Sequence, residues 1–456
     1  MPLGCDPIRA NFGPMLAFTG EASAQLEPRA VFTAAGMPTL SSGTVAPSPG
    51  SRPGTAWRRL ALPILMANLL LGSIAAFAVA DRASPAPPQL VSRNSGRHGA
   101  PSKVASRASI DGSGRYLAFE SAGLNGGRAG LYLRDIERQR TVRIADGHQP
   151  VLDLAGDRVI FSDGNRQLIA RDLRPGSLTP AGEPQTVPAT SGEFSASGNG
   201  RFVAFASSSW TLLEEPDRAR EREVLSRGQI YVRDLERGRT VLVSRAGGPR
   251  GGIGDQESSR PSISAGGRYV AFTSEAGNLV RGGAPGRQAV YMRDLRTSTL
   301  RVVAPRGGNP ARVGAINPSI SADGHIVAYV LSRVGHEQEV AVRDLRRGTT
   351  LYPGRFSAHR IPIAINAEPE LSPDGRFLAV IGGVQVGGIE KLFLVDLRTH
   401  RIKTVPEVGA ESTLDFSSGG RFLTFDTFVE NIPGRESGEM ASTHGEVYRL
   451  ANPFLR

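Results

Sequence analysis

The 456-residue chain is 39% apolar and 21% charged, which fits one large or two ordinary globular domains and excludes a disordered or collagen-like chain. Its 55 glycines and 32 prolines disfavour long helices and favour short strands joined by tight turns, and its single cysteine, Cys5, rules out an internal disulfide or a multi-cysteine zinc site. The net charge of +11 is almost wholly arginine, Lys103, Lys391 and Lys403 being the only lysines; the arginines are interleaved with Asp and Glu, which argues against nucleic acid as a partner and leaves lipid head groups or cell-wall polymers as surfaces the charge can attract.

Residues 1–56 are rich in Ala, Gly, Pro, Ser and Thr without a sustained apolar period, and read as a disordered N-terminal extension. Pro-Leu-Gly-Cys5 resembles a lipoprotein box, but no apolar run precedes it. Arg58 and Arg59 then precede 21 residues without charge, Leu60 to Ala80, long enough at about 1.5 Å per residue to cross a bilayer core of roughly 30 Å. Within 57–80 two readings compete: a signal peptide cleaved after the small-x-small Ala78-Val79-Ala80, or a signal-anchor helix that is retained. Either way the basic flank keeps the N-terminus inside and exports the remainder, so membrane contact is expected only through residues 60–80. A signal placed this late also admits a translation start downstream of Met1. Residues 81–89 are a Pro/Ala linker.

Beyond the linker one phrase recurs: a small polar strand, a Gly turn, then Arg and an apolar run. It reads Ser109–Phe119, Ser195–Phe205, Ser262–Phe272, Ser319–Tyr329, Leu371–Val380 and Phe416–Phe425, with a degenerate copy at Leu154–Phe161. A second phrase follows each copy: Leu131-Tyr-Leu-Arg-Asp-Ile136, Leu168–Leu173, Ile230–Leu235, Val290–Leu295, Val340–Leu345, Leu392–Leu397 and, without the Asp, Val447–Leu450. The equivalent position advances from Arg115 to Arg421 in six steps, 51 residues per unit. Four short antiparallel strands per unit of that length predict propeller blades, because one blade cannot bury both faces alone. The seventh unit lacks its fourth strand, and Leu90–Gly96 matches Leu242–Gly248 at the end of the third unit. Strand 90–96 is therefore expected to complete the last blade and close the ring. The strand order puts the loops between second and third strands, and those between blades, on one face and the Gly turns on the other.

These phrases resemble the TolB-type, WD-repeat-like β-propeller repeat, with its Ser-Pro-Asp-Gly-like turn, Ala-Phe strand and Tyr-Val-x-Asp-Leu strand. The resemblance covers residues 90–456 and implies an all-β, seven-bladed propeller of four-stranded antiparallel blades. On function it is nearly silent: members are interaction platforms in bacterial envelopes, N-terminal domains of serine peptidases and occasionally lyases. Gly266 and Gly419 stand where the turn Asp belongs, which speaks against a calcium or Asp-ladder role there.

Asp135, Asp172, Asp234, Asp294, Asp344 and Asp396, from the Arg-Asp-Leu phrases, are expected to accept backbone N–H bonds in the turns that follow rather than to act as ligands. The Arg after each turn Gly is expected to face outward or between blades. No Gly-x-Ser-x-Gly elbow exists, no chain remains after the seventh blade for a hydrolase domain, and His336-Glu337 lacks the second His of a zinc-protease motif. No catalytic residue, metal site or cofactor is assigned. The segments 207–229, 430–446, 246–259 and 306–317 are longer than a hairpin needs and share one face. Trp210, Leu212, Leu213, Arg218 and Arg220 are the binding-face candidates. The expected function is an exported, non-enzymatic platform in the bacterial envelope, periplasmic, cell-surface or secreted, binding an envelope or extracellular protein or a glycan. The alternative is a small carbohydrate- or peptide-processing enzyme at the central channel mouth, using His325 and His359; three or more charged or His side chains converging there favour it over a flat apolar-aromatic loop face.

Overall fold

The computed structural model describes residues 87–455 except 103, 175–177, 191–192, 213–222, 225, 249–250, 282–285, 306–312, 334–337, 357–367, 383–390, 406–412 and 428–444. The segments expected to be an N-terminal extension and an export signal, with most of the linker, lie outside the described residues. No helix among the described residues is long and apolar enough to cross a membrane.

Seven four-stranded antiparallel sheets follow one another along the chain. Blade 1 comprises Ala105–Ile110, Tyr116–Ser121, Gly130–Asp135 and Arg140–Ala145, and blade 2 comprises His148–Leu152, Arg158–Ser162, Gln167–Leu173 and Pro180–Thr190. The degenerate second unit is therefore a complete blade. Blade 3 is Phe194–Ala196, Phe202–Ser207, Gln229–Asp234 and Arg239–Leu242; blade 4 is Ser258–Ile263, Tyr269–Ser274, Ala289–Asp294 and Thr299–Ala304. Val313–Ile320, Ile326–Arg333, Glu339–Asp344 and Thr349–Leu351 make blade 5, and Glu370–Leu371, Phe377–Gly382, Lys391–Asp396 and Arg401–Val405 make blade 6. Blade 7 is Asp415–Phe416, Phe422–Thr427 and Glu446–Ala451, with Gln89–Leu90 from the other end of the chain as its outer strand.

Ring closure by the N-terminal strand is thus present, over a shorter strand than 90–96. Val91 and Ser92 still donate their amides to the Val447 carbonyl, and Val447 returns its own to Ser92 Oγ. The chain then turns away, with Gly96 at φ +98° and Arg93 bridged to Pro101, because the buried Arg134 guanidinium binds the carbonyls of Arg93 and Asn94. Between blades 3 and 4 the same device recurs: Arg293 takes the carbonyls of Arg245, Ala246 and Gly248, and Arg245 bridges to Ile253.

Packing follows the repeat. The Phe of each Ala-Phe strand lies opposite the Tyr of the next strand and stacks on it: Phe119 on Tyr132, Phe205 on Tyr231, Phe272 on Tyr291 and Phe425 on Tyr448. Among the described residues, seven clusters of buried apolar side chains form the core, one at each junction between neighbouring blades. The Gly that ends the turn has a conformational reason. Gly267 (φ +71°) and Gly324 (φ +76°) lie against the rings of Phe202 and Tyr269 in the preceding blade, where a Cβ would collide.

Val91 is fully buried in the cluster joining blades 7 and 1. Val91→Asp should destabilise the protein by about 3 kcal/mol or more, since it buries an unpaired charge. Unchanged thermal unfolding would contradict closure by this strand.

Candidate functional site: the central channel

The innermost strand of each blade faces a central cavity of about 1230 Å3. Two stacked rings of side chains line it, and both are defined by the repeat. The inner ring is the residue two before the second Ser of the turn phrase or its equivalent: Ser109, Val151, Ser195, Ser262, Ser319, Glu370 and Asp415. These positions are structurally equivalent, because each lies opposite the same residue of its second strand: Ala118, Ile160, Ala204, Ala271, Ala328, Ala379 and Thr424. Two residues earlier, nearer the long-loop face, stands the outer ring of Arg107, Gln149, Glu193, Arg260, Asn317, Glu368 and Thr413.

A β-bulge repeated in four innermost strands sets the outer ring. Arg107, Gln149, Arg260 and Asn317 have φ of +51° to +53°, and the register slips on either side of each. Bulges re-aim side chains and leave an amide unpaired. Here carboxylates of the preceding blade accept those amides: Asp426 from Arg107, Glu120 from Gln149 and Glu193 from Arg260. Arg260 also forms ion pairs with Glu193 and, two blades on, with Glu368, so that it straps the mouth. His148 Nδ1 lies 3.1 Å from Glu120.

In the inner ring the serines are inter-blade acceptors. Leu152, Ile263, Ile320 and Leu371 donate their amides to the hydroxyls of Ser109, Ser195, Ser262 and Ser319 in the preceding blade, at 3.0–3.3 Å. Asp415 performs the same task for Ile110 at 2.9 Å and also accepts from Ser109 Oγ at 2.7 Å. Glu370 and Asp415, in adjacent blades, have no Arg, Lys or His within ion-pair distance among the described residues. Burial pushes the Asp415 carboxyl up to about 6, with Asp111 adding to it, and burial followed by the Asp415 charge raises Glu370 well above the usual carboxylate range.

The Asp residues of the Arg-Asp-Leu phrases do not converge on the channel; each belongs to its own blade. Asp135, Asp234, Asp294, Asp344 and Asp396 accept two backbone amides apiece in the following turn. Asp172 instead pairs with Arg158. The Arg after the turn Gly is an intra-blade partner rather than an outward-facing group: Arg115, Arg201, Arg268 and Arg376 hold Asp135, Asp234, Asp294 and Asp396 at 2.6–2.8 Å.

Of the binding-face candidates, Leu213, Arg218 and Arg220 lie outside the described residues, as do His336, His359 and the greater part of the long loops. Trp210–Leu212 form a single 3-10 turn, and Leu212 packs on the core between blades 2 and 3. His325 rests against the Tyr269 ring at the Gly-turn end, away from the channel mouth. The sequence reading missed both channel rings. The signal was in the repeat all the same, as the two acidic departures from Ser at one aligned position.

Six carboxylates, two arginines and His148 line the cavity.

No family model matches the sequence, and no curated protein matches it. Solved structures do share its fold. An oligogalacturonate lyase in complex with manganese is 14% identical with a TM-score of 0.53, covering 81% of this chain and 98% of its own. The oligogalacturonate lyase of Vibrio parahaemolyticus is 11% identical with the same TM-score and coverage. TolB from Acinetobacter baumannii is 15% identical with a TM-score of 0.37, over 75% of this chain and 81% of its own. These likenesses show the fold alone, a seven-bladed β-propeller, whose turn phrases resemble the TolB-type repeat. Among the described residues, no three His, Cys, Asp or Glu side chains are grouped to hold a metal ion.

The Arg268 guanidinium holds Asp294 at about 2. Because this folded value lies below the unfolded one near 4, the stabilisation is present above pH 4 and is lost as pH falls toward 2. Asp294→Asn should cost about 1–2 kcal/mol at pH 7 and progressively less below pH 4, measured by denaturant unfolding.

Proposed function

We propose that the protein is an exported binding propeller that takes a basic segment of an envelope or extracellular partner into its channel from the long-loop face. The observation carrying this reading is the charge of the lining: six carboxylates against two arginines in a chain of net charge +11. A low-dielectric concavity of one sign focuses potential on ligands of the other. Export rests on the uncharged run 60–80 and its Ala78-Val79-Ala80 end. The second reading, a small carbohydrate- or peptide-processing enzyme at the channel mouth, is favoured by one observation: Glu370 and Asp415 are adjacent carboxyls of raised proton affinity, as acid-base chemistry requires.

The test is affinity capture from envelope extracts with the full chain as bait. Gln229 is buried and bound to the Gly254 and Gln256 carbonyls, so loop replacement by Gly-Ser is confined to residues 213–222. A partner held at low salt, released at about 0.5 M salt and lost from the loop variant or from Glu193→Gln/Glu368→Gln is expected. The same proteins held by all three baits would contradict the proposal.

A further inference from the structure

A chain of backbone hydrogen bonds runs around the Gly-turn end of the ring. The residue after the second Ser or its equivalent donates its amide to the same residue of the next blade: Gly112 to Leu154, Leu154 to Gly198, Gly198 to Ala265, Ala265 to Ala322 and Ala322 to Pro373, with Ser418 of blade 7 returning to Gly112. Six junctions carry this bond. The junction between blades 6 and 7 does not, because Pro373 has no amide hydrogen to give to Ser418.

The inner-ring bond is missing there too, as it is between blades 2 and 3, where Val151 offers no acceptor. Where the acceptor from blade 6 is needed stands Glu370 in place of Ser. Apolar packing remains, chiefly Phe377, Leu394, Phe416, Phe425 and Tyr448. Serine satisfies the inter-blade bond in four blades without introducing charge, so ring building alone does not explain two neighbouring acids.

The groups facing this pair leave its charge uncompensated. Glu370 meets Ser319 of blade 5, its cross-strand partner Ala379 and Asp415. Asp415 meets Ser109, Asp111 and the Ile110 amide of blade 1, and Thr424 across its own blade. Asp426, on the strand beside Asp415, is bound to Thr413 and to the Arg107 amide.

We propose that the junction between blades 6 and 7 is a pH-responsive seam, closed when Glu370 and Asp415 share a proton and loosened when both are ionised. A protonated carboxyl donates to its ionised neighbour across the junction, replacing the bond that Glu370 and Pro373 leave out; the doubly ionised pair repels. The sign follows from linkage. Folded carboxyls with raised proton affinity bind more protons than the unfolded chain, so the seam is tightest on the acid side and weakens as pH rises through their titration.

Hydrogen exchange of the full chain at pH 5 and pH 8, corrected for the intrinsic rate, tests this. Peptides covering residues 370–382 and 413–427 should lose at least about tenfold in protection at pH 8, while peptides across the junction of blades 4 and 5 should not. Glu370→Ser/Asp415→Ser, which restores the repeat's own residue, should abolish the difference. Pro373→Ala should raise protection of the seam at both pH values and leave the difference in place. Equal protection at the two pH values in the wild type, or a difference that survives the double serine substitution, would overturn the proposal.

Discussion

Everything in this structure depends on one constraint: a four-stranded blade has two faces and can hide neither without a neighbour. Each of the seven apolar clusters accordingly belongs to two blades, and none to one. A chain of such units is stable only when its ends meet. The short strand Gln89–Leu90, followed by Val91 and Ser92, makes the ends meet by lying on Glu446–Ala451. Along the channel and under the turns, small inter-blade hydrogen bonds add about 1 kcal/mol apiece and fix the register in which the apolar faces join.

The fold was legible because each element of the repeat has a physical job that admits few residues. Gly267 and Gly324 take a positive φ against an aromatic ring of the preceding blade. The Phe and Tyr of successive phrases stack across one hairpin, and the Asp of the second phrase caps the turn that follows it. The partner of that Asp was harder to see. Arg115 and Asp135 are twenty residues apart, and only the antiparallel register of the second and third strands brings them together. The buried arginines 134 and 293 were likewise hidden, since a buried guanidinium is made tolerable by backbone carbonyls that no side-chain pattern reveals.

The channel illustrates the opposite case, in which the sequence held the information and a different feature drew attention. Loop length and Trp210 pointed to the outer face, whereas the chemistry lies along the innermost strands. In the aligned repeat, Glu370 and Asp415 are departures from serine at a position with a known duty. Departures of that kind cost stability through repulsion and desolvation, and proteins keep such costs at sites of use. Their place beside Pro373 ties them to the one junction among the seven that lacks the backbone bond. The outer ring adds a strap, Glu193 to Arg260 to Glu368, that spans blades 3, 4 and 6 at the mouth. Ligand access and ring rigidity therefore meet in one short stretch of the channel wall.

The most direct measurement of this account is the titration of the channel pair itself. Carbon-13 carboxyl NMR of the full chain, with Glu370→Gln and Asp415→Asn supplying the assignments, follows both groups through their ionisation. The structure predicts coupled titration with one step near pH 6 or above, and a lower Glu370 titration when Asp415→Asn removes the neighbouring charge, burial still holding it above the ordinary carboxylate range. Two independent titrations near pH 4 would show that these half-buried carboxyls neither face each other nor are withdrawn from solvent by the channel wall, and the central claim would fail.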